Sequence, residues 1–376
     1  MLSENSIIDC GAINSVAEVL KSYSAKKIFL VTGDSSYKKI ASDFEPIISS
    51  FDTVRYFGFK PNPQLNDVIK GIYLFKQFQP DATVCIGGGS VLDMGKLINT
   101  LGVQFDSDYK NIIKNNEIKT KGPPLLAIPT TAGTGSESTH FSVVYVDNTK
   151  FSLAHPFMMP DKAIVDPELC FNMPKYLAAS SGMDALCQSV ESYWSNGATY
   201  ESRGYALEAI KLIRDAIVNA ISKNDKTSMI AMSKAANLAG KAINISKTTA
   251  PHAISYGITS CFSIPHGHAV SLTLGKFFEI NSSKNNHLVD QKITLEDHQE
   301  RMHNLFSLFG ASTAKECHKK WLELMKNIGL ESDFIKLGMS DSEKIKYIVD
   351  SVDLERLGNN PVHVSRKILQ DLFRSF

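Results

Sequence analysis

Residues Ala82 to Thr100 read ATVCIGGGSVLDMGKLINT. The first five form a short apolar run with β-branched members, the pattern of a strand buried on both faces. The chain then passes through Gly87-Gly88-Gly89-Ser90 and takes up helical spacing from Val91 onward. A strand that ends in glycines and opens a helix is a geometry that cradles a pyrophosphate. Glycine lets the backbone come close, and the helix N-terminus supplies N–H donors with a partial positive charge. The run is not the G-x-G-x-x-G fingerprint, and a plain tight turn is the competing reading.

Outward from this stretch, strands and helices alternate. A helix over Ser15–Ser24 precedes the apolar strand Lys27–Thr32, which runs into the turn Gly33-Asp34-Ser35. A helix from roughly Tyr37 to Ser49, a strand over Thr53–Phe57, and a helix starting after Pro63 follow. Downstream, the strand Leu125–Ile128 enters Pro129-Thr130-Thr131-Ala132-Gly133-Thr134-Gly135-Ser136, a loop dense in hydroxyls and backbone donors. It suits the other side of a nicotinamide nucleotide, and two such loops after two strands are hard to explain as turns alone. Alternation of this kind implies βαβ units and a parallel sheet.

Beyond Asp166-Pro167 the texture changes to helical periods over 176–196, 199–222, 226–246, 251–260 and 268–280. The expected organisation is an α/β nucleotide-binding domain over 1–170 and an all-α domain over 171–376, with a connector near 167–174. Residues 282–300, rich in Asn, Lys and Asp, read as a solvent-facing loop and helix start.

A chain of 376 residues exceeds the usual single core. With 40 basic and 39 acidic residues the formal net charge is +1, which leaves no electrostatic footprint for nucleic acid or an anionic membrane. The six cysteines form no C-x-x-C pair and read as reduced thiols, the pattern expected of a cytoplasmic protein. No basic-then-apolar leader and no long apolar run is seen, so neither secretion nor membrane spanning is expected.

A second stretch, PHAISYGITSCFSIPHGHA over Pro251–Ala269, sets His252 and His266 fourteen residues apart. Pro265 and Gly267 mark a turn around His266. Upstream, SGMDALCQSVESYWS carries Asp184 and Gln188 at i, i+4 on one face of what reads as an amphipathic helix. Asp, Gln, His and His make a mixed oxygen and nitrogen set that suits Fe(II) or Zn(II) better than Ca or Mg. Against this stands the plain alternative that a histidine taken singly is a structural one, and the spacing between the two pairs is not diagnostic.

The ordered series GGGS with Asp93 and Lys96, PTTAGTGSE, VDPEL, GMDAL and PHG resembles the iron-containing (group III) alcohol dehydrogenase family over most of the chain. The resemblance implies a dehydroquinate synthase-like architecture, with an N-terminal NAD(P)-binding domain, a helical C-terminal domain and a metal and substrate cleft between them. By position it implies metal ligands at Asp184, His252 and His266, with Gln188 where many members have a histidine. Tyr256 stands where many members carry a second histidine near the nicotinamide. The cofactor residues implied are Gly33, Gly87, Gly88, Gly89, Ser90, Asp93, Thr130, Thr131, Thr134 and Ser136. Family members that prefer NADH tend to carry Asp where this chain has Gly33, so the reading leans to NADPH, with Asp34 left to cap the next helix.

Within the family, ISKTTAPHAISY, THFSVVYVD, FSLAHP and ESYWS are most similar to the phosphonoacetaldehyde reductase branch, which makes 2-hydroxyethylphosphonate. Lys247, His140 and His155, with Thr248, Thr249 and His268, are donors suited to a small dianion. The competing reading makes Lys247 a solvated helix-end lysine. The expected activity is metal-dependent reduction of a small aldehyde to a primary alcohol, with Tyr256, His268 or a water relay supplying the proton. Rival readings are a general dehydrogenase of neutral alcohols, a dehydroquinate-synthase-like lyase and a non-catalytic nucleotide-binding protein. A homodimer or larger homo-oligomer is expected from the family habit.

Overall fold

The computed structural model describes residues 5–105, 108–147, 149–283, 287–289, 293–352 and 354–374. The chain divides into two compact units, Met1–Asn172 and Met173–Phe376.

The first unit carries the strands β1 (Ser6–Ile8), β2 (Lys27–Thr32), β3 (Asp52–Tyr56), β4 (Ala82–Gly87), β5 (Leu125–Pro129), β6 (Phe141–Val146), β7 (Thr149–Ala154) and β8 (Lys162–Val165). Six of them make an all-parallel sheet in the order β1-β8-β5-β4-β2-β3. The central strands β4 and β5 are buried throughout, which is why they read as continuous apolar runs.

Alternation along each strand feeds two cores. Phe29, Val31, Cys85, Leu125 and Ala127 face one side, while Ile28, Leu30, Val84, Ile86, Leu126 and Ile128 face the other. The helices of this unit are α1 (Val16–Ser22), α2 (Asp34–Lys38), α3 (Ala41–Ile48), α4 (Leu65–Phe78), α5 (Gly89–Leu101) and α6 (Tyr109–Asn115). The first core takes its helical side from α4, α5 and α6, the second from α1 and α3.

The strand order reverses at β2, which has β3 on one side and β4 on the other. In open α/β sheets the crevice beyond the carboxyl ends of strands at such a reversal is where ligands bind. Gly33 follows β2 and the glycine run closes β4, so both lie at this point.

Three local readings differ from the structure. The helix expected over Tyr37–Ser49 is two pieces, α2 and α3, broken at Lys39–Ile40. Asp34 is the first residue of α2 rather than its cap; Gly33 holds the cap position and no side chain caps it. The antiparallel pair β6–β7 was not anticipated, although β6 alternates buried and half-buried residues along its length.

The second unit is helical, with α7 (Lys175–Trp194), α8 (Tyr200–Ser222), α9 (Lys226–Ser246), α10 (Ala250–Phe262), α11 (His266–Asn281), α12 (Leu295–Leu308), α13 (Ala314–Asn327), α14 (Ser342–Asp350), α15 (Leu354–Gly358) and α16 (Arg366–Arg374). Helix α7 packs against α8, α9 and α11. Sixteen of its 20 residues are buried, so it is a core helix and not the amphipathic one expected. Within the segment 282–300, α12 begins at Leu295; residues 284–286 and 290–292 lie outside the described residues. Among the described residues no helix is long and apolar enough to cross a membrane.

Candidate metal centre and nucleotide loops

Three elements of the helical unit meet at Asp184, His252 and His266, whose potential ligand atoms all lie within 4.8 Å of one another. His252 Nε2 is 3.4 Å and His266 Nε2 3.9 Å from Asp184 Oδ1. The two imidazoles sit at 5.3 Å between centroids and 71° between planes. Asp184 and His252 are buried, while the His266 side chain is 37% exposed and gives the cluster its open side. Gln188, one turn along α7 from Asp184, is also buried.

His266 is not in a turn. It is the first residue of α11, with Pro265 at the cap and Gly267 inside the helix. Gly267 permits this arrangement because α11 comes into near contact with α7. A Cβ there would stand 2.0 Å from the Ser180 carbonyl oxygen and 2.7 Å from Asp184 Cβ.

Glu191, fully buried and two turns along α7 from Asp184, organises the centre. Its Oε1 accepts the Thr249 backbone N–H at 3.0 Å, the Thr249 hydroxyl at 2.9 Å and the His252 backbone N–H at 3.2 Å. Its Oε2 meets His252 Nδ1 in a close ion pair. Burial alone would depress the His252 imidazolium, but Glu191 and Asp184 outweigh it and raise the ring to about 9. A carboxylate on one ring nitrogen turns the other toward the site, as in carboxylate–histidine–metal arrangements. His252 Nε2 is buried and, apart from its 3.4 Å approach to Asp184 Oδ1, has no hydrogen-bond partner among the described residues. One carboxylate oxygen and two imidazole nitrogens match the donor set for Fe(II) or Zn(II). The residues therefore fit a divalent transition metal.

Beside this cluster the Tyr256 ring stacks on His266, 5.6 Å between centroids and 6° between planes. The Arg356 guanidinium carbon lies over the Tyr256 ring, 5.1 Å from its centroid. Arg356 Nη1 donates to Thr248 Oγ1 at 2.7 Å. Asn359 donates to the Ser246 and Thr248 carbonyls, both at 2.9 Å. Lys247, between those carbonyls, is exposed and holds φ 60°, ψ −179°, a conformation almost restricted to glycine. Arg356 did not stand out in the sequence. Glu191 was visible only as the first residue of ESYWS and by its i+7 spacing from Asp184.

The other three histidines singled out in the sequence make contacts of their own. His268 is buried, with Nδ1 3.0 Å from the Tyr176 hydroxyl and Nε2 2.7 Å from the Glu331 carbonyl oxygen. With both ring nitrogens engaged it has the bonding of a structural histidine, contrary to a proton-donor role. Burial lowers its pKa, which the Glu331 contact only partly offsets. His140 and His155 face each other across the β6–β7 pair, where the His155 N–H donates to the His140 carbonyl at 3.0 Å. His155 Nδ1 also accepts the Phe157 N–H, capping a short turn. These contacts tie both residues to local structure in the first unit.

In the first unit the two expected loops come together. A Cβ on Gly89 would stand 2.7 Å from the Thr134 methyl, and one on Gly88 3.4 Å from the Thr131 methyl. The Thr130 N–H donates to the Gly87 carbonyl at 3.0 Å. Gly88 caps α5 without a side-chain bond to the first amides. The Ser90 hydroxyl accepts the Asn62 N–H at 3.2 Å. Asp93 is turned to internal use, accepting from the Ser136 hydroxyl at 2.8 Å and the Val143 N–H at 3.0 Å. Lys96, completely buried, donates to the Ser136 and Thr139 carbonyls and hydroxyls and to the Phe141 carbonyl. Burial lowers its pKa to about 8 against the opposing pull of Asp93 and Glu137. This buried cation fixes the end of the second loop, a role that only its place in the motif hinted at.

Comparison with known proteins gives a consistent set of relatives. Residues 3–167 match the model of the iron-containing alcohol dehydrogenase family, and residues 178–376 match that of its C-terminal domain. Long-chain-alcohol dehydrogenase 1 of Geobacillus thermodenitrificans is 34% identical over 70% of this chain and 68% of its own length. The NAD-dependent methanol dehydrogenase of Bacillus methanolicus is 29% identical over 90% and 89%. Among solved structures, sulfoacetaldehyde reductase from Bifidobacterium kashiwanohense in complex with NAD+ superposes with a TM-score of 0.88. It is 26% identical and covers 99% of this chain and 96% of its own.

Proposed function

The chain belongs to the iron-containing alcohol dehydrogenase family and is an oxidoreductase acting on CH–OH groups. From that premise we propose that it interconverts a small aldehyde and its primary alcohol with NADH or NADPH and an iron-type metal. Phosphonoacetaldehyde is the substrate the sequence favours. The observation that carries the reading is the Asp184, His252 and His266 cluster, with Glu191 turning the free ring nitrogen of His252 toward the other two.

Asp184, His252 and His266 would hold the metal, with Gln188 as a weaker oxygen donor from the same helix. A metal bound there supplies Lewis acidity to a carbonyl oxygen. The nicotinamide cofactor supplies or accepts the hydride. This chain's residues do the positioning. The α5 amides and the Gly87–Ser90 and Thr130–Thr134 segments would receive the nucleotide phosphates. Asp93, Lys96 and Ser136 keep those segments in place from beneath. Tyr256 remains the side chain to deliver a proton, since His268 is bound on both sides. The neighbouring reductase is named for an aldehyde bearing a sulfonate and was crystallised with NAD+. That likeness supports a short aldehyde with an acidic group and keeps NADH beside NADPH.

The test is oxidation of NADH and NADPH by metal-reconstituted protein, offered phosphonoacetaldehyde beside neutral aldehydes of similar size. Turnover abolished by Asp184→Ala supports the reading. No oxidation of either coenzyme with any aldehyde, by protein shown to hold metal and nucleotide, would sink it.

A further inference from the structure

We propose that Arg356, with Thr248 and Lys247, forms a binding site for the anionic end of the substrate, a phosphonate or sulfonate one short linker from the aldehyde. The proposal rests on the aldehyde-reductase reading above and names the side chains that would select an acidic substrate.

Three independent features converge on this turn. Arg356 is positioned from two sides, by the Thr248 hydroxyl at 2.7 Å and by the face of Tyr256, which itself stacks on His266. A guanidinium held this way has lost most of its freedom in advance, so little entropy is left to lose when it meets an oxyanion. Next, Lys247 adopts a backbone conformation that is strained in a residue other than glycine. Asn359 maintains it by bonding the carbonyls on both sides. Strain of this kind gathers at ligand clamps and active sites, which marks this turn as a candidate binding element. Lastly, the turn is continuous with the metal cluster. Thr249, next to Thr248, gives its N–H and hydroxyl to the same Glu191 that bonds His252. The cationic turn and the reacting end are thus held in one hydrogen-bonded frame.

The test uses metal-loaded enzyme with reduced coenzyme, as wild type, Arg356→Gln and Arg356→Lys. Each is assayed with phosphonoacetaldehyde, sulfoacetaldehyde and butyraldehyde, and 2-hydroxyethylphosphonate binding is measured by calorimetry. Arg356→Gln should lower kcat/KM for the acidic aldehydes by roughly 10- to 100-fold, the loss expected of a charge-assisted bond, and weaken the calorimetric binding to match. Because Arg356 also packs on Tyr256, butyraldehyde turnover should fall too, but by roughly 10-fold less than that of the acidic aldehydes, and Arg356→Lys should recover part of the acid-specific loss. The better of the two acids in the wild type identifies the headgroup. Equal loss on butyraldehyde would assign Arg356 a structural role and overturn the proposal. A wild type that reduces butyraldehyde but neither acid would overturn the subsite and leave the reductase standing. A wild type inactive on all three would remove both.

Discussion

Glu191 and His252 are joined twice, one carboxylate oxygen accepting the histidine's backbone N–H and the other meeting its ring Nδ1. The same side chain thereby sets both the start of α10 and the rotation of the imidazole it carries. Glu191→Gln keeps the shape and removes the charge. It should weaken metal binding by about 10- to 100-fold, the usual cost of losing such a partner, read by competition with a chelator of known affinity. Unchanged affinity would mean that packing alone orients His252.

Gln188 stands one helical turn from Asp184 on the enclosed helix α7. Replacing it with histidine adds an imidazole donor in place of a neutral amide oxygen. Gln188→His should slow metal loss to chelator, and Gln188→Ala should leave the rate close to wild type. If Gln188→Ala releases metal as fast as Asp184→Ala, the amide is a full ligand.

Gly267 is where α11 presses onto α7. Any side chain there meets the Ser180 carbonyl and the Asp184 backbone, neither of which is a flexible tip. Gly267→Ala should destabilise the protein by about 1–3 kcal/mol as the helices separate, and lower metal affinity in parallel. A thermal melt and a metal titration on the same preparation check both effects. Loss of one without the other would disconnect the helix contact from the site.

Lys96 provides a pH signature. Its folded value, about 8, lies below the ordinary lysine value of 10.5. Between those limits the unfolded chain holds a proton that the folded chain has released. Unfolding free energy from this group therefore rises with pH across that window, by up to about 1.4 kcal/mol per pH unit. The difference between wild type and Lys96→Met, from urea melts at intervals from pH 8 to 10.5, should grow with pH. A flat or falling difference would show that the ammonium is not strained by burial.

Much of this was legible before any coordinates. The central strands announce themselves because burial on both faces demands continuous apolar runs, and the glycine run after Ile86 marks where the sheet reverses. Asp184, His252 and His266, implied as ligands by the order of the motifs, lie together in the structure. Arg356 was not implied, because it meets Thr248 across 108 residues and no local pattern records such a contact. The partners of His268, Tyr176 and Glu331, are likewise remote in sequence, so no local pattern records that both its ring nitrogens are engaged. The β6–β7 pair is hard to see in sequence because only β6 alternates in burial, while β7 has no period of two.

Strand β1 pairs with β8, Ser6 lying opposite Ala163, and the Asp166 carboxylate accepts the amides of Gly11 and Ile13. Strand β1 is therefore without its sheet partner until the ribosome has added about 160 further residues, roughly 10–30 s at ordinary elongation rates. During that interval β2 to β5 have what they need to pair, while the β1 segment waits with its backbone groups unmatched. A release of the nascent chain before Lys162 would yield a sheet that lacks β8 and leaves β1 with no strand to pair with. Stalling experiments on either side of that residue should separate protease-sensitive from protease-resistant amino-terminal segments.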